Sequence, residues 1–249
     1  MTKQLRLAVL AASISGAILL SACQPKNNEP ETTVTNDTPV TETTDHQMDN
    51  HDNFHDGHDM SAHVVSDGAP QSEMLKEYTD SMSKMHEEMM VGMSYNDPDM
   101  AFAQGMLAHH VGAVDMAKIQ LKYGQDAEMR QLAQEIIDAQ EAEVATMQSW
   151  LASHTDAAAP TSDTEDMQKD YANGMDDMHE EMMEGITDPN PDMAFARGML
   201  PHHEGAVDMA KVQLKYGKDA ELRKLAQDII DAQEAEIEQM EDWIDKNRG

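Results

Sequence analysis

Between about residues 74 and 246 the apolar positions recur every three or four residues, the spacing of one face of an α-helix. Met82, Met85, His86, Met89 and Met93 fall at i, i+3, i+4, i+7 and i+11, which predicts a helix from about Met74 to Val91 that stops near Gly92. Asp97 before Pro98 reads as an N-cap followed by proline at the first helical position. The helix that follows runs to Tyr123 and closes at Gly124, expected as a left-handed C-cap. A third helix runs from about Asp126 to Ser153. Only three residues separate the second and third helices, so they form an antiparallel hairpin.

The pattern then repeats. Met82 to Trp150 aligns without a gap on Met175 to Trp243, each residue 93 positions on. Phe102-Ala103-Gln104-Gly105-Met106-Leu107 returns as Phe195-Ala196-Arg197-Gly198-Met199-Leu200. The expected organisation is a first helical repeat over 73–153, a linker over 154–165 and a second repeat over 166–249. A lone hairpin cannot cover its apolar stripe. Two copies supply four long helices, enough for a pseudo-symmetric four-helix bundle with the short first helices packed against it. The residues leave open whether the copies pack within one chain or swap between chains.

The N-terminus follows a different pattern. Lys3 and Arg6 precede an apolar run from Leu7 to Leu20, and Leu20-Ser21-Ala22-Cys23 closes it. A basic start, a short apolar stretch and small residues describe a secretory signal over 1–22. The last four residues resemble a bacterial lipobox, which implies lipid on Cys23. Gln24 after that cysteine implies the outer membrane, with the chain facing the periplasm. Residues 23–72 are polar and lack apolar periodicity, so they are expected as a disordered tether. His46, Met48, His51, His55, His58, Met60 and His63 lie in it among aspartates. Such a tract is either a loose metal collector or a solvated spacer.

Composition narrows the function. The 249 residues carry a formal charge of −31, with 23 methionines, 12 histidines, one cysteine and 4% aromatics. No basic surface exists to neutralise phosphates, so nucleic acid is excluded as a partner. One cysteine excludes a disulfide framework and a thiolate zinc cluster.

Methionine is therefore either core filler or chemistry. On the first helix Met82, Met85, His86 and Met89 recur as Met175, Met178, His179 and Met182, with Ile186 in place of Met93. A methionine stripe is commonly core. Here leucine is absent from it and a histidine sits within it in both copies. Thioether beside imidazole is a soft site that favours Cu(I), and imidazole also takes Cu(II). On the second helix Met106, His109, His110 and Met116 recur as Met199, His202, His203 and Met209. Adjacent histidines on the apolar side, flanked by methionine and repeated, point to metal ligation, without saying which of each pair binds. The third helix adds Gln140, Glu143 and Met147, repeated as Gln233, Glu236 and Met240. Polar groups in an apolar stripe are costly unless paired. They are expected either to hydrogen-bond the histidines, with Glu143 and Glu236 also able to ligate directly, or to rotate into solvent. Asp115 with Lys118 and Asp208 with Lys211 are expected as exposed i,i+3 ion pairs.

Gly-Met-Leu-Pro-His-His-Glu-Gly-Ala-Val-Asp-Met-Ala at 198–210, with Leu225-Ala226-Gln227-Asp228-Ile229-Ile230 and Gln233-Glu234-Ala235-Glu236-Ile237 downstream, resembles domain-of-unknown-function family 305. The resemblance takes in both copies. It implies a ferritin-like helical bundle and copper binding through the histidines and methionines of 82–116 and 175–209, in envelope proteins linked to copper tolerance. The first copy departs from the motif at Ala108, in place of the proline, and at Val111, in place of Glu204.

The expected function is an envelope-anchored copper-binding protein without catalysis, for sequestration or for transfer to a partner protein. A ferritin-like oxidase is the second reading. Di-iron bundles place Glu-x-x-His on two helices, and that spacing occurs nowhere in this sequence. A cuprous oxidase escapes this argument. A structural acidic lipoprotein without metal is the third reading.

Overall fold

The computed structural model describes residues 72–154 and 158–248. Cys23 and the His/Met tract over 46–63 lie outside the described residues. Six helices follow in order: α1 Glu73–Met93, α2 Pro98–Tyr123, α3 Ala127–Ser153, α4 Thr164–Gly185, α5 Pro191–Tyr216 and α6 Ala220–Asn247. No strand occurs among the described residues, as the all-α expectation requires. None of these helices is long and apolar enough to cross a membrane. The first helix of each repeat, 21 and 22 residues long, is only slightly shorter than the others.

The helix starts are fixed by side chains of the sequence. Asp97 accepts hydrogen bonds from the backbone N–H groups of Asp99 and Met100, and Asp126 does the same for Glu128 and Met129. Asn190 and Asp219 repeat this at α5 and α6. These bonds satisfy N–H groups that have no partner inside the helix. The C-cap at Gly124 differs from expectation. Its φ of −70° and ψ of 152° are extended rather than left-handed. Glycine is needed there because a Cβ would overlap the buried Gln120 side chain.

Helices α1 and α2 run antiparallel, joined at one end by Gly92 against Gly105 and at the other by Lys122 against Glu77. A Cβ on Gly92 would stand 2.5 Å from the Gly105 backbone nitrogen, so the two helices approach as only glycine permits. Gly92 therefore serves packing, and the helix continues through Met93. Gly185 meets the backbone of Arg197 and Gly198 in the same way.

The two units join through α2 and α5, which lie antiparallel along their whole length. Gln120 meets Asp192 at one end, His109 meets His202 midway, and Gln213 meets Asp99 at the other end. Both end locks are buried. Asp99 accepts from the Gln213 side chain at 2.6 Å and from the backbone N–H groups of Lys218 and Asp219. Asp192 accepts from Gln120 at 2.7 Å and from Gln125 and Asp126. Helices α1 and α3 flank α2, and α4 and α6 flank α5. One core runs through both units, built from Met, Ala, Ile and Leu with Phe102, Phe195, Tyr78 and Tyr171.

Candidate metal centre

The α2–α5 crossing concentrates the histidines. His109, His110, His202 and His203 are all fully buried. His110 Nε2 lies 2.7 Å from a Glu143 carboxylate oxygen, and His203 Nε2 lies 2.7 Å from Glu236. The third helix thus reaches the histidines across the hairpin. Both glutamates keep partial contact with solvent. Gln140 and Gln233 are buried, yet both polar atoms of Gln140 and the Gln233 carbonyl lack hydrogen-bond partners.

His109 and His202 are different. Their rings lie 3.7 Å apart between centroids, and none of their four ring nitrogens has a hydrogen-bond partner. Each such group left unmet in a dry interior costs about 1–3 kcal/mol. Burial pushes the pKa of both imidazoles well below the usual histidine range, and neighbouring histidine charges push the same way. For His202 an approach to the His109 backbone offsets a smaller part of this. Both rings are therefore neutral at physiological pH and present unprotonated lone pairs, the form in which histidine binds metals. Nδ1 of His110 and of His203 is also without a partner, while their Nε2 atoms are engaged by glutamate.

Methionine surrounds this crossing. Met116 places its methyl against Gly198, and Met209 places its own against Gly105, so each reaches across into the other unit. Met85 and Met178 set their sulfurs against Gly112 and Gly205, one helical turn from His109 and His202. A Cβ at Gly112 would lie 2.5 Å from the Met85 sulfur, so glycine here is what admits the thioether to the α2 backbone. Met82, Met89, Met106, Met147, Met175, Met182, Met199 and Met240 are all buried within the same core. Burial of these eight is what packing alone also produces. The orphaned imidazole nitrogens are not.

Among the described residues no three His, Cys, Asp or Glu side chains are grouped so as to hold an ion. A full set of donors at the crossing therefore has to include thioethers, which select a soft metal over zinc or iron. The ring spacing adds a limit. With a metal–nitrogen bond of roughly 2.0–2.1 Å, two imidazoles sharing one ion stand about 6.4 Å apart between centroids when opposite and about 5.2 Å apart at a tetrahedral angle. At 3.7 Å His109 and His202 are too close to point at a common ion, so the arrangement suits one ion per ring.

Helices α1 and α4 bring together His86 and His179, whose rings lie 5.3 Å apart. The expected surface ion pairs are half met. Lys211 pairs with Asp208 at 3.0 Å, but Lys118 turns to Glu141 on α3 at 3.5 Å, because the hairpin offers a carboxylate there. The Asp–Gln locks escaped the sequence reading. Their signal was Gln120, recurring as Gln213, in an otherwise apolar stripe.

Known proteins share parts of this chain. Structures of CopM, including one in the Cu(I)-bound form, are 32% identical and cover 61% of this chain and 98% of CopM, at a TM-score of 0.47. A DUF305 fragment from Deinococcus radiodurans is 27% identical, covering 61% of this chain and 98% of the fragment, at a TM-score of 0.46. With TM-scores below 0.5, these likenesses add nothing to the geometry above, which stands on this chain's own residues. Uncharacterized protein L153 of Acanthamoeba polyphaga mimivirus is 37% identical over 57 residues, which is 23% of this chain and 38% of that protein. The chain thus spans well under half the length of that curated relative. A family model described as Domain of unknown function (DUF305) matches residues 99–244, a span that runs from α2 into α6 through both repeats. With more than half of its length inside that match, the chain belongs to the DUF305 family.

Proposed function

We propose that this chain binds copper at the α2–α5 crossing and serves to sequester it or pass it on, without catalysing a reaction. The observation that carries this reading is the pair of fully buried, neutral imidazoles whose four nitrogens have no protein partner, set among methionine thioethers. His109 with Met116 and Met85, and His202 with Met209 and Met178, are the donors assigned. Thioether and imidazole together favour Cu(I), and imidazole alone also accepts Cu(II). Glu143 and Glu236 hold His110 and His203 in place from the outer side, as partners of ligands commonly do. The metals named for CopM, Cu(I), Cu(II) and Ag, are the ones this donor chemistry favours. The lipobox resemblance supports anchoring through Cys23 at the outer membrane, where neutral thioethers keep their donor strength under oxidising conditions that consume thiolates. The net charge of −31 gathers cations without choosing among them.

Competition for Cu(I) with a chromogenic chelator tests the reading. His109→Ala with His202→Ala removes the tight copper equivalents, while far-UV circular dichroism keeps its helical signature. Copper affinity and stoichiometry equal to the parent in that variant would overturn the assignment. Oxygen uptake on adding Cu(I) separates this reading from a cuprous oxidase, and none is expected.

A further inference from the structure

The two units differ on one outer face. In the first, Lys118 on α2 pairs with Glu141 on α3 at 3.5 Å, an ion pair that crosses from helix to helix. In the second, the equivalent Lys211 pairs with Asp208 on its own helix at 3.0 Å. Glu234 on α6, the counterpart of Glu141, is left without an ion pair among the described residues. Lys211 and Glu234 line a groove of about 780 Å³ between α4, α5 and α6. Its floor is apolar, with Met178 from α4, Val207 and Val212 from α5 and Ile237 from α6. Gly174 keeps the α4 wall low where the first unit has Ser81.

The rim above this floor is acidic. Glu181 stands on α4, Glu204 and Asp208 on α5, and Glu234 on α6. The two lysines of the rim are already engaged, Lys211 by Asp208 and Lys215 by Asp170 at 2.7 Å. Glu181, Glu204 and Glu234 therefore face the groove with no cation of this chain against them. The charges of Glu181, Glu241 and Asp208 all bear on Glu204, where the first unit has Val111.

We propose that this groove docks a basic segment of a partner protein, one whose lysine and arginine side chains are interleaved with apolar ones. Lysine and arginine lay their aliphatic stems along apolar surface while their heads reach outward, which matches an apolar floor under a carboxylate rim. Carboxylates fixed on three helices set the spacing of the partner's charges, and such complementarity speeds encounter and selects the partner. The occupant has to come from outside this chain. A second copy carries the same charge of −31 and is repelled. Residues 24–72 hold Lys26 as their single base among many aspartates and glutamates, so they are repelled as well. Docking stands apart from the copper reading, since no rim carboxylate belongs to the donors assigned above.

Fluorescence anisotropy with the full chain tests the groove, with a metal chelator present and a labelled amphipathic peptide of lysine, arginine and leucine as the probe. Glu181→Gln with Glu234→Gln is expected to weaken binding about 5-fold, the loss of two exposed ion pairs. Glu88→Gln with Glu141→Gln removes the same charge at the equivalent positions of the first unit and leaves binding unchanged. Gly174→Ser alters shape without charge. Its added Cβ meets the Asp208 Cβ at an ordinary 3.7 Å, so the fold is kept, as circular dichroism checks, while the narrowed groove binds the peptide less tightly. Equal weakening by the two glutamine pairs would reduce the effect to the general acidity of the chain and overturn the proposal. Equal binding of a peptide with serine in place of leucine, or of spermidine, would overturn it too, because neither needs a protein segment seated on an apolar floor.

Discussion

In the first unit His110 meets Glu143 at 2.7 Å, Tyr123 donates to Glu77 at 3.0 Å and Arg130 donates to the Leu121 carbonyl at 2.7 Å. In the second unit His203 meets Glu236 at 2.7 Å, Tyr216 donates to Asp170 at 2.9 Å and Arg223 donates to the Leu214 carbonyl at 2.7 Å. The interiors of the units therefore agree, although Pro201 and Glu204 stand where the first unit has Ala108 and Val111. Pro201 lacks the N–H that would bond the Arg197 carbonyl. That carbonyl lies where α4 crosses closest, against Gly185, a contact the first unit makes at Gly92 with an unbroken helix. Glu204 sits at the rim of an acidic groove with Glu181, Asp208 and Glu234. The contrast teaches that the histidine-bearing interior is held by contacts common to both units, while the sequence differences lie at the rim.

The largest expected effect tests the shared interior. Asp99→Ala leaves the Gln213 amide and two backbone N–H groups buried without an acceptor, and about 3 kcal/mol of stability is lost in urea unfolding. Asp192→Ala costs the same if the units are held alike, and a difference above about 1 kcal/mol breaks the comparison. Next comes the helix approach. Gly92→Leu and Gly185→Leu each push a helix off its neighbour, at about 2 kcal/mol apiece. Copper readouts probe the site itself. Glu143→Gln and Glu236→Gln each weaken Cu(I) binding roughly 10-fold by loosening the histidine next to the crossing.

The smallest effects sharpen the difference at the rim. Pro201→Ala restores one helix hydrogen bond and raises stability by about 1 kcal/mol. Ala108→Pro in the first unit moves the other way. Glu204 has its carboxyl pKa raised, first by partial burial and then by Glu181, Glu241 and Asp208. A raised carboxyl pKa means that the folded state binds the proton more tightly than the unfolded chain. Stability therefore falls as pH rises from the ordinary carboxylate value through the raised one. Glu204→Gln accordingly raises the melting temperature slightly at pH 7 and has no such benefit at pH 4. Val111→Glu in the first unit mirrors this penalty at neutral pH.

Much of the fold was written along the chain. Asp97, Asp126 and Asn190 or Asp219 are local signals, since a cap bonds to N–H groups two or three residues away, and the helices start where they say. The sequence left Glu143 either bonded to a histidine or turned to solvent, and the structure settles it on His110 because the hairpin brings α3 beside that ring. Gly124 misled because a C-terminal glycine is ordinarily read as left-handed, whereas here its lack of a side chain makes room for Gln120. The methionines could not be sorted from sequence, since a thioether in a core and a thioether at a metal share the same helical spacing.

Which histidine faces which was beyond the sequence altogether. Periodicity puts His109 and His110 on the apolar side of one helix but says nothing about the partner helix. Only the antiparallel crossing of α2 and α5 sets His109 against His202 with four unmet nitrogens, and leaves His110 to Glu143. The sequence by itself determined the helices, their caps, the repeat and the donor types, because those depend on contacts within a few residues or on composition. The tertiary structure decided depth, pairing and ring spacing, because these depend on how closely two helices approach, and glycine and alanine at the crossing set that distance only once both units are in place.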